Sequence, residues 1–158
     1  MANNKRHFTI ADLQKSKVAS INIDVISPTS MSETSDNCYR LLIDPKGKPR
    51  MVKSDAWKKR KCVLEYWAWK DRLVSEATKT GLLDLPGRFK VMFSLPMPDS
   101  WSKSKKSAME GTPHQQKYDL DNLIKALQDC LCKSDSHIYE VHAIKRWSYA
   151  GWIKIEFI

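Results

Sequence analysis

The apolar positions of the chain fall into two periods. From Val18 to Ile26, Ile21, Ile23 and Val25 alternate with Asn22 and Asp24, the two-residue period of a half-buried strand. Alternation returns at residues 38–44, 89–95, 138–147 and 152–158, so five strands are expected. Helical spacing governs two other stretches. Trp57, Val63, Leu64, Trp67, Leu73, Val74 and Ala77 predict a long helix from Asp55 to about Lys79, capped by Ser54 and ended by Gly81. Trp67 and Trp69 read there as core and flank packing. Leu120, Leu123, Ile124, Leu127 and Leu131 predict a shorter helix running to about Cys132. Pro45, Gly47 and Pro49 enforce a turn, and Tyr149, Ala150 and Gly151 supply another between the last two strands. This order predicts an α+β fold, a mixed or antiparallel sheet packed on two helices.

Three stretches lack a period. Residues 1–16 read as a loose basic arm, leaving 17–158 as one domain. Pro28 to Asn37 is a Ser/Thr-rich loop, and Asp99 to Lys117, with four lysines and little apolar content, reads as a mobile basic loop.

The 158 residues suffice for one core. Charge narrows the function further: 27 Lys and Arg against 18 Asp and Glu give a net charge of +9, which favours a polyanionic partner. The candidate nucleic-acid contacts are Lys46, Lys48, Arg50, Lys58, Lys59, Arg60, Lys103, Lys105, Lys106 and Lys117; the plain alternative is a solvated basic surface. No apolar run approaches the ~20 residues of a membrane span, and the first residues lack a secretory apolar stretch, so a cytoplasmic protein is expected. The four cysteines form no CxxC pair. A zinc site from Cys130, Cys132, His137 and His142 is disfavoured, because cysteines two apart on a helix point about 200° away from each other.

The chemistry concentrates at Lys117-Tyr118-Asp119-Leu120-Asp121-Asn122, followed by Lys125 and then Asp135. Asp119 alone needs no special account, since an aspartate at a helix start satisfies orphan amides. The fuller pattern offers more. Asp121, Lys125 and Gln128 share the helix's polar stripe, and the chain beyond the helix returns another aspartate. Asp119, Asp121 and Asp135 supply the two or three carboxylates that Mg²⁺ takes from a protein, and Lys125 can neutralise transition-state charge or simply pair with Asp121. His114 is a candidate base, though a lone loop histidine is usually incidental.

With these residues in view, the sequence resembles the RusA family of Holliday junction resolvases, especially phage and prophage forms. The resemblance lies in Pro98 to Met109, Gly111 to His114, Lys117 to Leu131 and Asp135 to Ile138. It implies a catalytic and metal-binding set of Asp119, Asp121, Lys125 and Asp135, with Mg²⁺ as cofactor and Mn²⁺ as substitute. It also implies a homodimeric α+β enzyme that cuts branched DNA at four-way junctions. Tyr118 stands where the family usually has proline, and Ser134 where it commonly has a further aspartate. Two rivals stay open: a broader nuclease of forks and flaps, and a DNA-binding accessory protein that uses the aspartates only as caps.

Overall fold

The computed structural model describes residues 37–58 and 60–158. The expected arm at 1–16, the strand at 18–26 and nearly all of the Ser/Thr-rich loop lie outside them, as does Lys59. The fold is α+β: β1 (Cys38–Leu41), α1 (Lys61–Thr80), β2 (Arg88–Pro96), α2 (Lys103–Met109), α3 (Leu120–Leu131), β3 (Glu140–Ser148) and β4 (Trp152–Phe157).

The four strands form one mixed sheet in the order β1-β4-β2-β3. β4 runs antiparallel to both β1 and β2, whereas β2 and β3 are parallel over nine register pairs from Arg88↔Glu140 to Pro96↔Ser148. The last two strands therefore do not form the hairpin that their short turn suggests. A parallel pair needs a long crossover, which α2 and α3 provide, and β2 then occupies the place beside β3 that β4 would take.

Alternation works as expected within each strand. Phe89, Val91, Phe93 and Leu95 are buried on one face of β2, opposite Ile153 and Ile155 of β4, and both helices contribute to the same core. α1 brings Tyr66, Trp69, Leu73 and Ala77, and α3 brings Leu123, Ala126, Leu127 and Leu131. Each large apolar side chain buried this way contributes about 1.5–3 kcal/mol. Trp69 is the core member of its pair and donates its Nε1–H to the Asp44 carbonyl at 2.8 Å, while Trp67 is 46% exposed.

Two expectations need correction. The long helix does not start at Asp55. A 3-10 turn occupies Lys53–Ala56, and α1 begins only at Lys61. The reason is local side-chain chemistry: the Asp55 carboxylate accepts from the Val52 amide at 2.9 Å and is gripped by Arg60 through Nε and Nη2 at 2.9 and 2.8 Å. That closed ring holds the backbone out of the helical ladder, and Trp57 becomes one of the most exposed large side chains, at 78%. The far end is as expected, with Gly81 in the left-handed region at φ 81°.

Asp99 to Lys117 is likewise ordered rather than mobile. Ser102 caps α2 by accepting from the Lys105 amide, and Trp101 packs on Trp147 with ring centroids 4.9 Å apart. Gly111 donates to the Trp147 carbonyl at 3.0 Å, Trp147 to Thr112 at 3.0 Å, and His114 to Lys145 at 3.1 Å, so residues 111–114 pair along the edge of β3.

Candidate active site

α3 starts where the sequence places two acids. Asp119 takes the N-cap position with extended angles, φ −66° and ψ 147°, yet its carboxylate makes no cap hydrogen bond. Capping is therefore its address and not its task. Asp119 and Asp121 are both exposed, and among the described residues neither enters an ion pair.

The other end of α3 is arranged differently. Lys125 does not turn back to Asp121; its Nζ lies 3.8 Å from Asp129 Oδ1 and 3.9 Å from Asp135 Oδ2. The second oxygen of Asp129 is paired with Lys48, and the Asp129 carbonyl accepts from Lys70 Nζ at 2.9 Å. One residue thus joins the 45–50 segment, α1 and α3. Asp129 was not among the expected site residues, although its place one turn after Lys125 was the available signal.

Lys125 and Asp135 accordingly meet, while Asp119 and Asp121 stay at the helix start. Asp119, Asp121 and Asp135 do not form a single tight cluster. Among the described residues, the group of three ligand-type side chains with atoms within 4.8 Å of one another is Asp84, Cys132 and His137. That trio is poorly suited to a metal. His137 lies 2.8 Å from the Leu85 carbonyl through Nε2 and 2.9 Å from the Ser134 carbonyl through Nδ1. Two carbonyl acceptors favour the doubly protonated ring, and the Leu85 carbonyl foremost raises its pKa. Burial pushes the Cys132 thiol up to about 11, so it carries no thiolate near neutrality. His137 instead fastens the turn carrying Asp135 to the approach to β2. Of the four residues weighed for zinc, His142 is elsewhere, 2.7 Å from Glu140.

A hard divalent cation asks for oxygen ligands. Asp119 and Asp121 meet that requirement because no internal partner holds their carboxylates, and Asp135, half exposed, has only the 3.9 Å contact with Lys125. The candidate base His114 lies inside the fold. It is buried against Trp147 with centroids 3.9 Å apart, and burial foremost, then Lys145, lowers its pKa and keeps it neutral.

The basic candidates divide by partner. Arg60 is committed to Asp55 and to the Arg50 carbonyl, the latter at 2.6 Å. Lys48 is paired with Asp129, Lys46 lies 3.4 Å from Glu65, and Lys106 lies 3.8 Å from Asp99. Lys105 stands over the Trp101 ring at 4.1 Å, and Lys117 over Tyr118 at 6.0 Å. Arg50, Lys58 and Lys103 are exposed and enter no ion pair among the described residues. Non-local folding brings the 46–50 segment against the start of α3, where the two enclose a cleft of about 330 Å³ that includes Lys117, Asp119 and Asn122.

Against known proteins, a family model described as Endodeoxyribonuclease RusA matches residues 43–157, a span that contains α1 to β4 and every acidic residue of the candidate site. No curated protein matches the chain.

Proposed function

Because the chain belongs to the RusA family of endodeoxyribonucleases, enzymes that resolve crossover junctions in branched DNA, we propose that it cuts four-way junctions by paired, symmetric nicks. Asp119 and Asp121 would hold Mg²⁺, with Mn²⁺ able to replace it, and Asp135 would join them once junction DNA draws it off Lys125. The observation that carries this reading is the helix start: an aspartate in the capping position that leaves its amides uncapped keeps both oxygens for something else. When bound, the ion polarises the scissile phosphate and lowers the pKa of an attacking water.

The chain's own groups do the rest. Lys125, steered by Asp129 and Asp135, sets a fixed positive charge beside the reacting phosphate, where negative charge grows in the transition state. Asp129 spreads its charge over Lys48 and Lys125, so neither lysine needs a metal ligand as its sole partner. Arg50, Lys58, Lys103 and Lys117 are free to meet backbone phosphates, which give affinity without sequence information. Two related cuts need two sites, so the enzyme works as a homodimer whose dyad matches that of the junction. The reading includes a single nuclease domain at 17–158 acting in the cytoplasm; among the described residues no helix is long and apolar enough to cross a membrane.

The test is cleavage of a static four-way junction, a fork and linear duplex, each with Mg²⁺ and with EDTA. Expected are paired nicks in the junction alone, abolished by EDTA. Cutting of forks at the same rate favours a broader branch nuclease, and junction binding without nicks in Mg²⁺ or Mn²⁺ overturns the proposal.

A further inference from the structure

The cleft between the 46–50 segment and the start of α3 sits beside Asp119 and has a makeup that phosphate neutralisation alone does not require. Its cations are Lys46 and Lys48, paired with Glu65 and Asp129, and Arg50 and Lys117, which enter no ion pair among the described residues; Pro49, Tyr118 and the exposed Cys62 of α1 also line it. About 330 Å³ falls at the low end of small-ligand clefts, which run from about 300 to 1,000 Å³. A space of that size takes one nucleotide and excludes a stacked duplex.

The cleft is also braced from several sides. Arg60, anchored on Asp55, holds the Arg50 carbonyl at 2.6 Å. Lys48 is tied to Asp129 on α3, and Lys145 Nζ holds the Tyr118 carbonyl at 2.5 Å. Gly47 lies against the Tyr118 side chain, where a Cβ would come 2.7 Å from Cδ1, so no larger residue fits without displacing that side chain or the segment. These contacts join the 46–50 segment, α1, α3 and β3 into one frame.

We propose that this cleft receives a single unstacked nucleotide of the cut strand, immediately beside the phosphodiester presented to Asp119. Arg50, a planar fork suited to phosphate oxygens, and Lys117 hold its backbone, and Pro49 and Tyr118 cover its sugar and base. The proposal rests on the nuclease reading and adds a physical source of branch selection. Drawing a nucleotide out of a paired stack costs about a few kcal/mol, less where the continuity of stacking is already interrupted, as at a branch point. A linear duplex meets that cost in full and is left uncut.

The test is photo-crosslinking of the full chain in EDTA to four-way junctions carrying 5-iododeoxyuridine at each nucleotide around the branch point, with the attachment site mapped by mass spectrometry. Expected is one position that crosslinks to the Tyr118 or Cys62 peptide in the junction and at least about ten-fold less in a linear duplex, the factor corresponding to 1.4 kcal/mol. Cys62→Phe, which adds bulk to the lining, should lower crosslinking to Tyr118 by a similar factor while the circular dichroism spectrum is unchanged. Arg50→Ala, an exposed position that tests the phosphate contact without touching the core, should lower it as well. Crosslinks that map only outside residues 46–62 and 117–122, equal yields from duplex and junction, or wild-type yields in both folded variants overturn the proposal. Since no cutting is involved, crosslinking as expected with no nicking in Mg²⁺ supports the cleft and removes the nuclease reading alone.

Discussion

At the start of α3, Asp119 and Asp121 are exposed and have no ionic partner among the described residues, whereas at its end Asp129 and Asp135 face Lys48 and Lys125. The same residue type serves two purposes at the two ends of one twelve-residue helix. Paired carboxylates contribute to holding segments together and must leave their lysines before they can serve a ligand. Unpaired ones next to a basic cleft contribute to the fold only through the helix dipole, so their place beside the cleft points to a task outside it. This contrast separates the acids by task more sharply than their spacing does.

The comparison breaks most visibly if the free pair is removed. Asp119→Asn with Asp121→Asn should lower Mg²⁺-dependent junction cutting by about a thousand-fold or more, as expected for a loss of several kcal/mol of transition-state stabilisation. Junction affinity should hold or rise, because negative charge near phosphate is lost, and the melting temperature should stay put. Gel-shift, cleavage and calorimetric measurements on one preparation check all three. A fall in stability comparable to that of a lost core residue would mean that these acids are structural after all.

Lys125→Met should come next, with cutting down by about a hundred-fold through loss of a fixed charge at the transition state, and stability nearly unchanged because the lysine is more than half exposed. Asp129→Ala should lower stability as well as cutting. Removing the shared partner of Lys48 and Lys125 costs about 1 kcal/mol in urea unfolding, and activity falls through the misplaced Lys125. Restoration of cutting by Asp129→Glu would confirm positioning.

The smallest effect concerns the brace of the cleft. Arg60 foremost holds the Asp55 carboxyl at a pKa of about 2, below its ordinary 3.8. A depressed folded-state value contributes stability that is present above pH 4 and disappears as pH falls toward 2. Asp55→Asn should therefore lower the melting temperature at pH 7 and converge with the unaltered protein near pH 2. A difference independent of pH would assign the loss to packing.

How much of this was legible beforehand depends on the range of the forces involved. β2, β3, β4 and α3 could be read because burial of one face repeats every two residues or every three to four. Strand order could not, since alternation in 138–147 and 152–158 is the same whether the two strands pair with each other or flank β2. The start of α1 was misread because the ring of Asp55, Arg60 and Val52 competes with the helix at a position where apolar spacing continues undisturbed. Order in 99–117 comes from Trp147, far along the chain, against which Trp101 and His114 pack. In the candidate site, the acids were legible as residue types, but the division between free and paired carboxylates was not: it depends on Lys48, which is 81 positions from Asp129.

Direct titration of Mn²⁺, followed by electron paramagnetic resonance without DNA and then with an uncleaved junction, tests the shared metal site most closely. Asp119→Asn, Asp121→Asn and Asp135→Asn should each release the ion that the junction complex of the unaltered protein retains. If Asp135→Asn binds Mn²⁺ as tightly as the unaltered protein in that complex, the far acid belongs only to the Lys125 pair and the three-carboxylate site is contradicted.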